Sequence, residues 1–196
     1  IAAAHGNGLE FVAMCDIVPE NMEDKALKFS LPADIRRYTD YKQLLKQEKP
    51  ELVAIATESG KHAEIAIDCI AAGCNLIIEK PIALSLRDAD NIIQAAKEMG
   101  VKVSACHQNR FNKSIQKIRE ALEKKRFGRM FYGTAHVRWN RNYEYYSRAK
   151  WRGTWEQDGG ALMNQCIHNI DLLRWMMGKD IVEVVGMTDN LNHNYI

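Results

Sequence analysis

The sequence has no long apolar run, and its cysteines and histidines are few and scattered. No stretch approaches the roughly 20 apolar residues of a membrane-spanning helix, so we expect no membrane partner. The five cysteines form no CxxC pair, and the six histidines form no HxxxH pair. We therefore expect neither a metal site nor a disulfide framework, only small buried thiols such as those of cytoplasmic proteins.

An excess of one charge is also absent. The 196 residues include 27 Lys and Arg against 25 Asp and Glu, a net charge of +2, which gives no reason to expect a nucleic-acid partner. With 46% hydrophobic residues, the chain fits a globular protein of one or two domains. It begins with Ile1 in a helix-like stretch, residues 1–6, so we expect it to be a piece of a longer protein.

Strand-like and helix-like segments alternate as far as residue 108. Apolar runs predict strands at residues 9–16, 37–38, 52–57, 75–79 and 101–107, and helical patterns fall at residues 19–29, 41–48, 62–72 and 85–99. The alternation predicts an α/β domain with a right-handed parallel sheet over residues 1–108. Because the run at 52–57 is unbroken, we expect that strand to be covered on both faces.

The pattern changes after residue 108. An amphipathic helix is predicted at residues 112–126 and another helix at about 160–177, while residues 130–140 and 181–188 alternate like strands. This predicts a second domain over residues 109–196, of α+β type with an open antiparallel or mixed sheet.

One strand ends in an unusual charged pair. Glu79 and Lys80 precede Pro81, which restricts Lys80 to extended conformations. Open α/β sheets bind their ligands at the carboxyl ends of the strands. We predict that Lys80 is held in a functional site, the alternative being a solvated ion pair where the strand ends.

Two further features of the first domain indicate a dinucleotide. Asp16 ends a strand, where an acid accepts hydrogen bonds from ribose hydroxyls and repels a 2′-phosphate, which favours NAD over NADP. Small and polar residues at 57–60 precede a helix that begins at His62, and its backbone amides could approach a dinucleotide. Asp16 could equally well only end the strand, and His62 could be a helix-terminal or solvated histidine.

The helix after Gly159 and Gly160 is the most informative segment of the second domain. Its polar face carries Asn164, His168 and Asp171, so Asn164 and Asp171 could fix the tautomer of the histidine. The alternative is a histidine satisfied within the core. The preceding loop, residues 138–155, is rich in aromatic side chains and arginines, which stack on sugars and bind phosphates or carboxylates. Such a loop also suits single-stranded nucleic acid, but the balanced charge argues against that.

These motifs together, in this order, resemble the Gfo/Idh/MocA oxidoreductases over nearly the whole chain. The resemblance rests on Asp16, the turn at residues 56–63, Glu79-Lys80-Pro81, Trp151-Arg152 and the Gly-Gly helix. It implies a Rossmann domain followed by an open-faced sheet domain, with the active site between them. The segments from residue 107 to residue 171 are most similar to the dehydrogenases of UDP-N-acetyl-2-amino-2-deoxyglucuronate. Those enzymes oxidise the sugar C3 hydroxyl with NAD in bacterial surface-polysaccharide (lipopolysaccharide) synthesis.

The resemblance also implies roles for particular residues. Catalysis is expected of Lys80 and His168, with His168 as the base, Lys80 polarising the oxygen and Glu79 orienting Lys80. Cofactor contacts are expected at Asp16, Ile17, Thr57, Ser59, His62, Glu79, Lys80, Gln108, Trp151 and Arg152. Substrate contacts are expected at Lys80, Arg138, Tyr146, Asn164, Gln165 and His168. A cytoplasmic homo-oligomer, paired through the second sheet, is implied as well.

The chain departs from the common pattern of the family in two respects. Asn164 replaces an Asp and Cys166 a Gly, so acid and base chemistry is left to Lys80 and His168. The first Rossmann strand, its glycine-rich turn and the remainder of the second sheet are not among these residues, which again indicates a piece of a longer protein. Alternatives that stay open are another sugar or inositol dehydrogenase of the family and a non-catalytic dinucleotide-binding module.

Overall fold

The computed structural model describes residues 7–194, so the helix-like stretch expected at residues 1–6 lies outside the described residues. The first part of the chain alternates strands and helices, as predicted. The strands are β1 (Ala13–Cys15), β2 (Arg36–Tyr38), β3 (Leu52–Ile55), β4 (Asn75–Glu79) and β5 (Val103–Cys106). The helices between them are α1 (Pro19–Lys28), α2 (Tyr41–Glu48), α3 (His62–Ala71) and α4 (Leu86–Met99).

All strand pairings among the described residues are parallel, which confirms the predicted α/β class. β1 pairs with β2, and β3, β4 and β5 form a separate three-stranded sheet with β4 in the centre. The carboxyl ends of the latter three strands therefore meet at one edge, where Glu79 lies opposite Cys106. This edge delivers Lys80 to the site described below.

The hydrophobic core lies between the three-stranded sheet and helices α3 and α4. Ile55, Ile70, Leu76, Ile78 and Ile92 form its centre, each no more than 3% exposed. The opposite face of the sheet is open, since Leu52 is 37% exposed and Ile77 40%. The prediction that the 52–57 strand is covered on both faces is therefore wrong for the described residues, because helices pack on one face only.

Local chemistry sets the ends of α4. Ser85 precedes the helix, and its hydroxyl accepts a hydrogen bond from the backbone N–H of Asp88. Gly100 ends the helix at φ 68°, a left-handed conformation that glycine adopts without strain. The two ends hold α4 in register beneath the sheet.

The second part of the chain is helical where helices were predicted. It contains α5 (Lys113–Glu123), the short α6 (Tyr143–Ser147), a π-helical segment (Leu162–Cys166) and α7 (Ile167–Met177). Within the described residues, no helix is long and apolar enough to cross a membrane.

The two strands predicted at residues 130–140 and 181–188 are not strands in the described structure. Neither segment pairs with another strand, and Val182 and Met187 are 97% and 98% exposed. Alternating side chains favour a strand only where a neighbouring strand accepts its backbone hydrogen bonds, and the described residues offer none. The first segment still packs on α7, because a methyl group added at Gly133 would lie 2.9 Å from both Leu173 and Met177.

Candidate active site

Lys80 extends from the carboxyl end of β4 into the second part of the chain. Its ammonium donates hydrogen bonds to the backbone oxygen of Asn164 and, at 3.1 Å, to the side-chain oxygen Oδ1 of the same residue. Burial lowers the pKa of Lys80, and the positive charge of Arg152 acts in the same direction. The lysine is therefore held between the two parts of the chain and is not a solvated partner of Glu79.

Glu79 contacts the backbone beside the ammonium. Its Oε2 accepts a hydrogen bond from the backbone N–H of Lys80 at 3.2 Å. The carboxylate also accepts a hydrogen bond from the thiol of Cys106. Glu79 thus fixes the backbone from which the lysine side chain extends.

A π-helical segment presents Asn164 to the lysine. A π-helix bonds each carbonyl to the N–H five residues later, and such segments are common at functional sites. Here the backbone carbonyl of Asn164 accepts a hydrogen bond from the ammonium of Lys80. The chain that leads into this helix passes close to Leu84 of the first part at Gly159. A Cβ atom added there would lie 2.7 Å from Leu84 Cδ2, and the φ of 76° also favours glycine.

A buried carboxylate stands behind Asn164. Asp158 is 2% exposed, and its Oδ2 accepts a hydrogen bond from Gly153 N at 2.8 Å while Oδ1 accepts one from Asn164 Nδ2. Burial raises the pKa of Asp158, although the charges of Arg152 and Lys80 oppose that shift. The sequence analysis missed Asp158, and its only sequence signal is an acid directly before two glycines.

His168 is buried beside this group, at 8% exposure. Burial lowers its pKa, and the charges of Lys80 and His107 lower it further. The imidazole and the ammonium therefore act on each other across the two parts of the chain. Nδ1 of His168 has no hydrogen-bond partner among the described residues.

The tautomer partners expected for His168 are engaged elsewhere, so that expectation is wrong. Asn164 binds Lys80 and Asp158, because the π-turn adds a residue and rotates Asn164 off the face of His168. Asp171 instead receives two hydrogen bonds from the guanidinium of Arg110, a stronger partner for a carboxylate than a neutral imidazole.

Asp171 joins the edge of the sheet to α7. Its partner Arg110 belongs to the short 3₁₀ turn Gln108–Phe111 that follows β5, and Nδ1 of His107 lies 3.7 Å from its Oδ2. The guanidinium of Arg110 also stacks on Trp175 of α7, 5.2 Å from the ring centroid. These contacts hold α7, and with it His168, against the first part of the chain.

Two arginines enclose a tyrosine next to Gln165. The guanidiniums of Arg141 and Arg152 lie 4.6 Å and 4.5 Å from the ring centroid of Tyr145. The hydroxyl of Tyr145 accepts hydrogen bonds from Arg152 at 2.6 Å and from Gln165 Nε2 at 3.2 Å. Neither arginine forms a salt bridge in the described structure, and the buried Nε atom of each lacks a hydrogen-bond partner there. The sequence analysis singled out Arg152 and Tyr146 in this loop but not Tyr145 or Arg141, and the substrate contact of Tyr146 stays a prediction.

The remaining predicted substrate and cofactor contacts in this loop are less enclosed. Trp151 packs its ring on Arg152, with the guanidinium 4.6 Å from the centroid. Tyr146 packs edge to face on Tyr145 and on His193, whereas Arg138 is exposed. The structure therefore brings Lys80, Asn164, Gln165, His168 and Arg152 together. A substrate contact by Arg138 stays a prediction.

The predicted cofactor residues of the first part lie mainly at the carboxyl ends of the strands. Asp16 follows β1 and accepts hydrogen bonds from Val18 N at 2.9 Å and from the Asn21 amide at 3.2 Å. Ile17 beside it is 81% exposed. An ionised carboxylate only accepts hydrogen bonds, so this corner fits the hydroxyls of an NAD ribose.

His62 is less accessible than predicted. It is 1% exposed, with Nδ1 2.7 Å from the carbonyl oxygen of Pro81 and Nε2 3.1 Å from that of Thr57. The ring thus links the ends of β3 and β4, while Ser59 beside it is also buried and Gln108 is exposed. Cofactor contacts by these residues remain predictions.

No group of three or more His, Cys, Asp or Glu side chains among residues 7–194 is placed to hold a metal ion. The groups that the site brings together are an ammonium, an imidazole, amides, guanidiniums and the buried carboxylate of Asp158.

Known proteins similar to the chain include both sugar and cyclitol enzymes. A 2,7-anhydro-N-acetylneuraminate hydratase from Mediterraneibacter gnavus is 30% identical over 95% of the chain and 47% of its own length. An inositol 2-dehydrogenase from Salmonella paratyphi B is 25% identical over 89% of the chain and 48% of its own length.

One similar structure contains both a nicotinamide cofactor and a nucleotide sugar. The WlbA dehydrogenase from Bordetella pertussis, solved in complex with NADH and UDP-GlcNAcA, is 38% identical, with a TM-score of 0.81 over 89% of this chain and 49% of that one. The chain thus spans about half the length of these relatives.

Two family profiles match successive parts of the chain. Residues 2–107 match the oxidoreductase family with an NAD-binding Rossmann fold, and residues 115–195 match the GFO/IDH/MocA C-terminal domain. The first match alone covers more than half of the chain, and the parallel strands of this part agree with it. The chain belongs to the Gfo/Idh/MocA family of oxidoreductases.

Proposed function

We propose that the whole protein is an NAD-dependent oxidoreductase that oxidises the C3 hydroxyl of a UDP-N-acetylamino sugar uronate, in the synthesis of bacterial surface-polysaccharide sugars. The observation that carries the proposal is that Lys80, a half-buried ammonium of the first part, hydrogen-bonds to Asn164, one turn before the buried imidazole of His168 in the second part. Alcohol oxidation needs a base for the hydroxyl proton and a donor for the oxygen that becomes a carbonyl.

His168 has the properties of the base. Because its pKa is lowered, the imidazole is neutral near pH 7 and can accept the hydroxyl proton. Protonation is then disfavoured by the nearby charge of Lys80, which helps the histidine to release the proton after the reaction.

Lys80 has the properties of the oxygen donor. Its ammonium carries three N–H groups, of which two are accounted for by Asn164, so one remains to donate to the substrate oxygen. As the C–O bond becomes a carbonyl, the ammonium stabilises the negative charge on that oxygen. NAD supplies the acceptor for the hydride that leaves the sugar carbon.

The arginine and tyrosine group favours a negatively charged substrate. Arg141 and Arg152 are half-buried and have no salt bridge in the described structure, and like charges held this close are stabilised by an anion between or beside them. A sugar carboxylate or a diphosphate provides such an anion, whereas inositol provides none. The similarity to WlbA, solved with NADH and UDP-GlcNAcA, supports the same substrate class.

The test is to mix the full-length protein with NAD and a panel of sugars and to follow formation of reduced nicotinamide. The panel consists of the UDP-N-acetylglucosamine uronate, UDP-N-acetylglucosamine, inositol and a free hexose. We expect turnover with the uronate and at least tenfold lower kcat/KM with the three compounds that lack its carboxylate. Preference for inositol would favour the second candidate, a cyclitol dehydrogenase, to which the 25% identity with inositol 2-dehydrogenase points.

A fluorescence titration with NADH distinguishes an enzyme from a binding module. NADH binding without sugar-dependent reduction by any compound of the panel would support a non-catalytic dinucleotide-binding protein and contradict the proposed activity.

We also propose that the protein forms a homo-oligomer through the apolar segment at residues 181–187. Its members Val182, Val184, Val185 and Met187 are each at least 80% exposed. Exposed apolar side chains clustered in one segment favour association, because covering them removes apolar surface from water. Sedimentation of the full-length protein tests this, and a monomer at micromolar concentration would contradict it.

A further inference from the structure

Asp158 is a buried carboxylate to which the sequence analysis gave no role. It is 2% exposed, yet its side chain lies one hydrogen bond away from Asn164, whose own side chain contacts the reactive lysine. Burying a carboxylate is costly unless hydrogen bonds compensate it, and both of its oxygens accept one here.

The chemistry of the three groups fixes the orientation of the Asn164 amide. A carboxylate of Asp158 can only accept hydrogen bonds, and the ammonium of Lys80 can only donate them. The amide therefore turns its NH₂ group towards Asp158 and its oxygen towards Lys80. Without Asp158, the ammonium of Lys80 alone would orient the amide, and its NH₂ group would lack this acceptor.

We propose that Asp158 is a positioning residue that acts on Lys80 through Asn164, an inference that rests on the proposed dehydrogenase function. It orients the amide so that the ammonium has a side-chain acceptor, which holds Lys80 where it donates to the substrate oxygen. The buried negative charge also favours the charged form of the lysine against the opposing effect of burial.

The alternative is a purely structural role for Asp158 in closing its own loop. Its second oxygen accepts the hydrogen bond of Gly153 N, five residues earlier, and this contact would exist without any role in the site. The two roles make different predictions for variants that keep the shape of the side chain.

The decisive variants exchange the carboxylate and the amide. In Asp158→Asn, the new NH₂ group faces either Asn164 or the N–H of Gly153. If it faces Asn164, two NH₂ groups meet unless the Asn164 amide turns its oxygen away from Lys80. If it faces Gly153, that N–H loses its acceptor and the loop that carries the side chain is disturbed. The double variant Asp158→Asn with Asn164→Asp restores an acceptor at Lys80 and a donor–acceptor pair behind it.

In the full-length protein we expect Asp158→Asn to lower kcat by about 10²-fold with little change in the KM for NAD. We expect the double variant to recover to within about tenfold of the wild type. Asp68→Asn is the matched control, because Asp68 also binds two side chains, Tyr41 and Lys42, but lies on α3 away from the site. A normal kcat in Asp158→Asn, or a folded double variant no better than the single one, would overturn the proposal.

A second measurement separates this proposal from the proposed function. The pKa of Lys80 can be obtained by competitive acylation across a range of pH with mass spectrometry, which needs no sugar substrate. We expect this pKa to fall in Asp158→Asn and to rise again in the double variant, where a carboxylate faces the ammonium directly. If the wild type oxidises no sugar but the pKa follows this order, the proposed function fails and the role of Asp158 stands. If the pKa does not change in either variant, the role of Asp158 is wrong whatever the substrate.

Discussion

The two parts of the chain meet at the site but are stabilised differently. Up to Cys106, parallel strands hydrogen-bond to one another and bury a continuous core around Ile70 and Ile78. From Gln108 onward, the described residues contain helices but no paired strand, and several large apolar side chains are exposed. The first part therefore provides a rigid edge that carries Lys80, and the second part provides the polar groups that contact it.

The geometry of the site therefore depends on contacts between the two parts as well as on the fold of each part. Lys80 donates to Asn164, Nδ1 of His107 lies 3.7 Å from Oδ2 of Asp171, and the N–H of Gly60 donates to the oxygen of Gln157 at 3.2 Å. Two kinds of variant test this difference between the parts. One kind removes a contact between them, and the other replaces a buried residue of the first part or an exposed residue of the second.

The largest effect on catalysis is expected at Lys80, the reactive group that the first part contributes. Lys80→Ala in the full-length protein should lower kcat by 10² to 10⁴, roughly the range for loss of a group that assists proton transfer or stabilises charge. Steady-state kinetics with NAD and the preferred sugar measure it. The control is Lys97→Ala on α4, outside the site, which should leave kcat unchanged. Normal turnover in Lys80→Ala would contradict the assigned role.

The same residue predicts an alkaline limit to activity. Only the charged ammonium donates to the substrate oxygen, and because the pKa of Lys80 is lowered, activity should fall at a pH below its usual value of about 10.4. Lys80→Arg should be slower but should lose this alkaline limb, since the guanidinium keeps its proton. An unchanged limb in that variant would assign the titration to another group.

The core of the first part should give the next largest effect. Ile78 is fully buried in the central strand β4, so Ile78→Ala should lower the free energy of unfolding by about 2–5 kcal/mol. Its neighbour Ile77 points to the open face and is 40% exposed, which makes Ile77→Ala a matched control with a clearly smaller cost. Equal costs in chemical denaturation would show that both faces of the sheet are covered.

Local patterns in the sequence were sufficient for the first part of the chain. The bounds predicted for α2 and β4 agree with the structure, and the helix predicted at residues 85–99 differs from α4 by one residue, because neighbouring residues determine these features. Strands at residues 130–140 and 181–188 were predicted from the same kind of pattern. They failed because a strand also needs a partner, which local alternation does not supply.

The site could be predicted in part for a similar reason. Lys80, Asn164 and His168 were found from motifs, and the structure brings them together. Asp158 and the π-turn were not, because the partner of an amide depends on the rotation of its helix, and one extra residue in a turn changes that rotation.

A glycine at the contact of the two parts should have an intermediate effect. A methyl group at Gly60 would lie 2.5 Å from the backbone oxygen of Glu156, which cannot move aside as a side chain can. Gly60→Ala should therefore cost about 1–3 kcal/mol of stability, measured by denaturant unfolding. Gly186→Ala is the control, since no atom lies within 4 Å of the added carbon there. Equal stability of the two variants would show that the loop at Gly60 does not pack tightly against the second part.

The arginine group should give a substrate-dependent effect of about tenfold. Arg141→Gln removes one of two charges beside Tyr145, which should raise KM for a uronate substrate by roughly the 1.4 kcal/mol that corresponds to that factor. KM for a sugar without the carboxylate should hardly change. Arg148→Gln is the control, because Arg148 is exposed and pairs with Glu144. A uniform rise in KM for both sugars would instead assign Arg141 to the diphosphate.

The smallest effect is expected at an exposed position of the second part. Val184 is 80% exposed, so Val184→Ala in dilute protein should change the free energy of unfolding by no more than about 0.5 kcal/mol. The comparison with Ile78 becomes sharper if the measurement is repeated as protein concentration rises. Where copies associate through residues 181–187, the valine becomes buried, and the cost of its removal should grow with concentration because association stabilises the folded state by mass action. If the loss of unfolding free energy in Val184→Ala does not change with protein concentration, Val184 remains exposed in solution, and the proposed association through residues 181–187 is wrong.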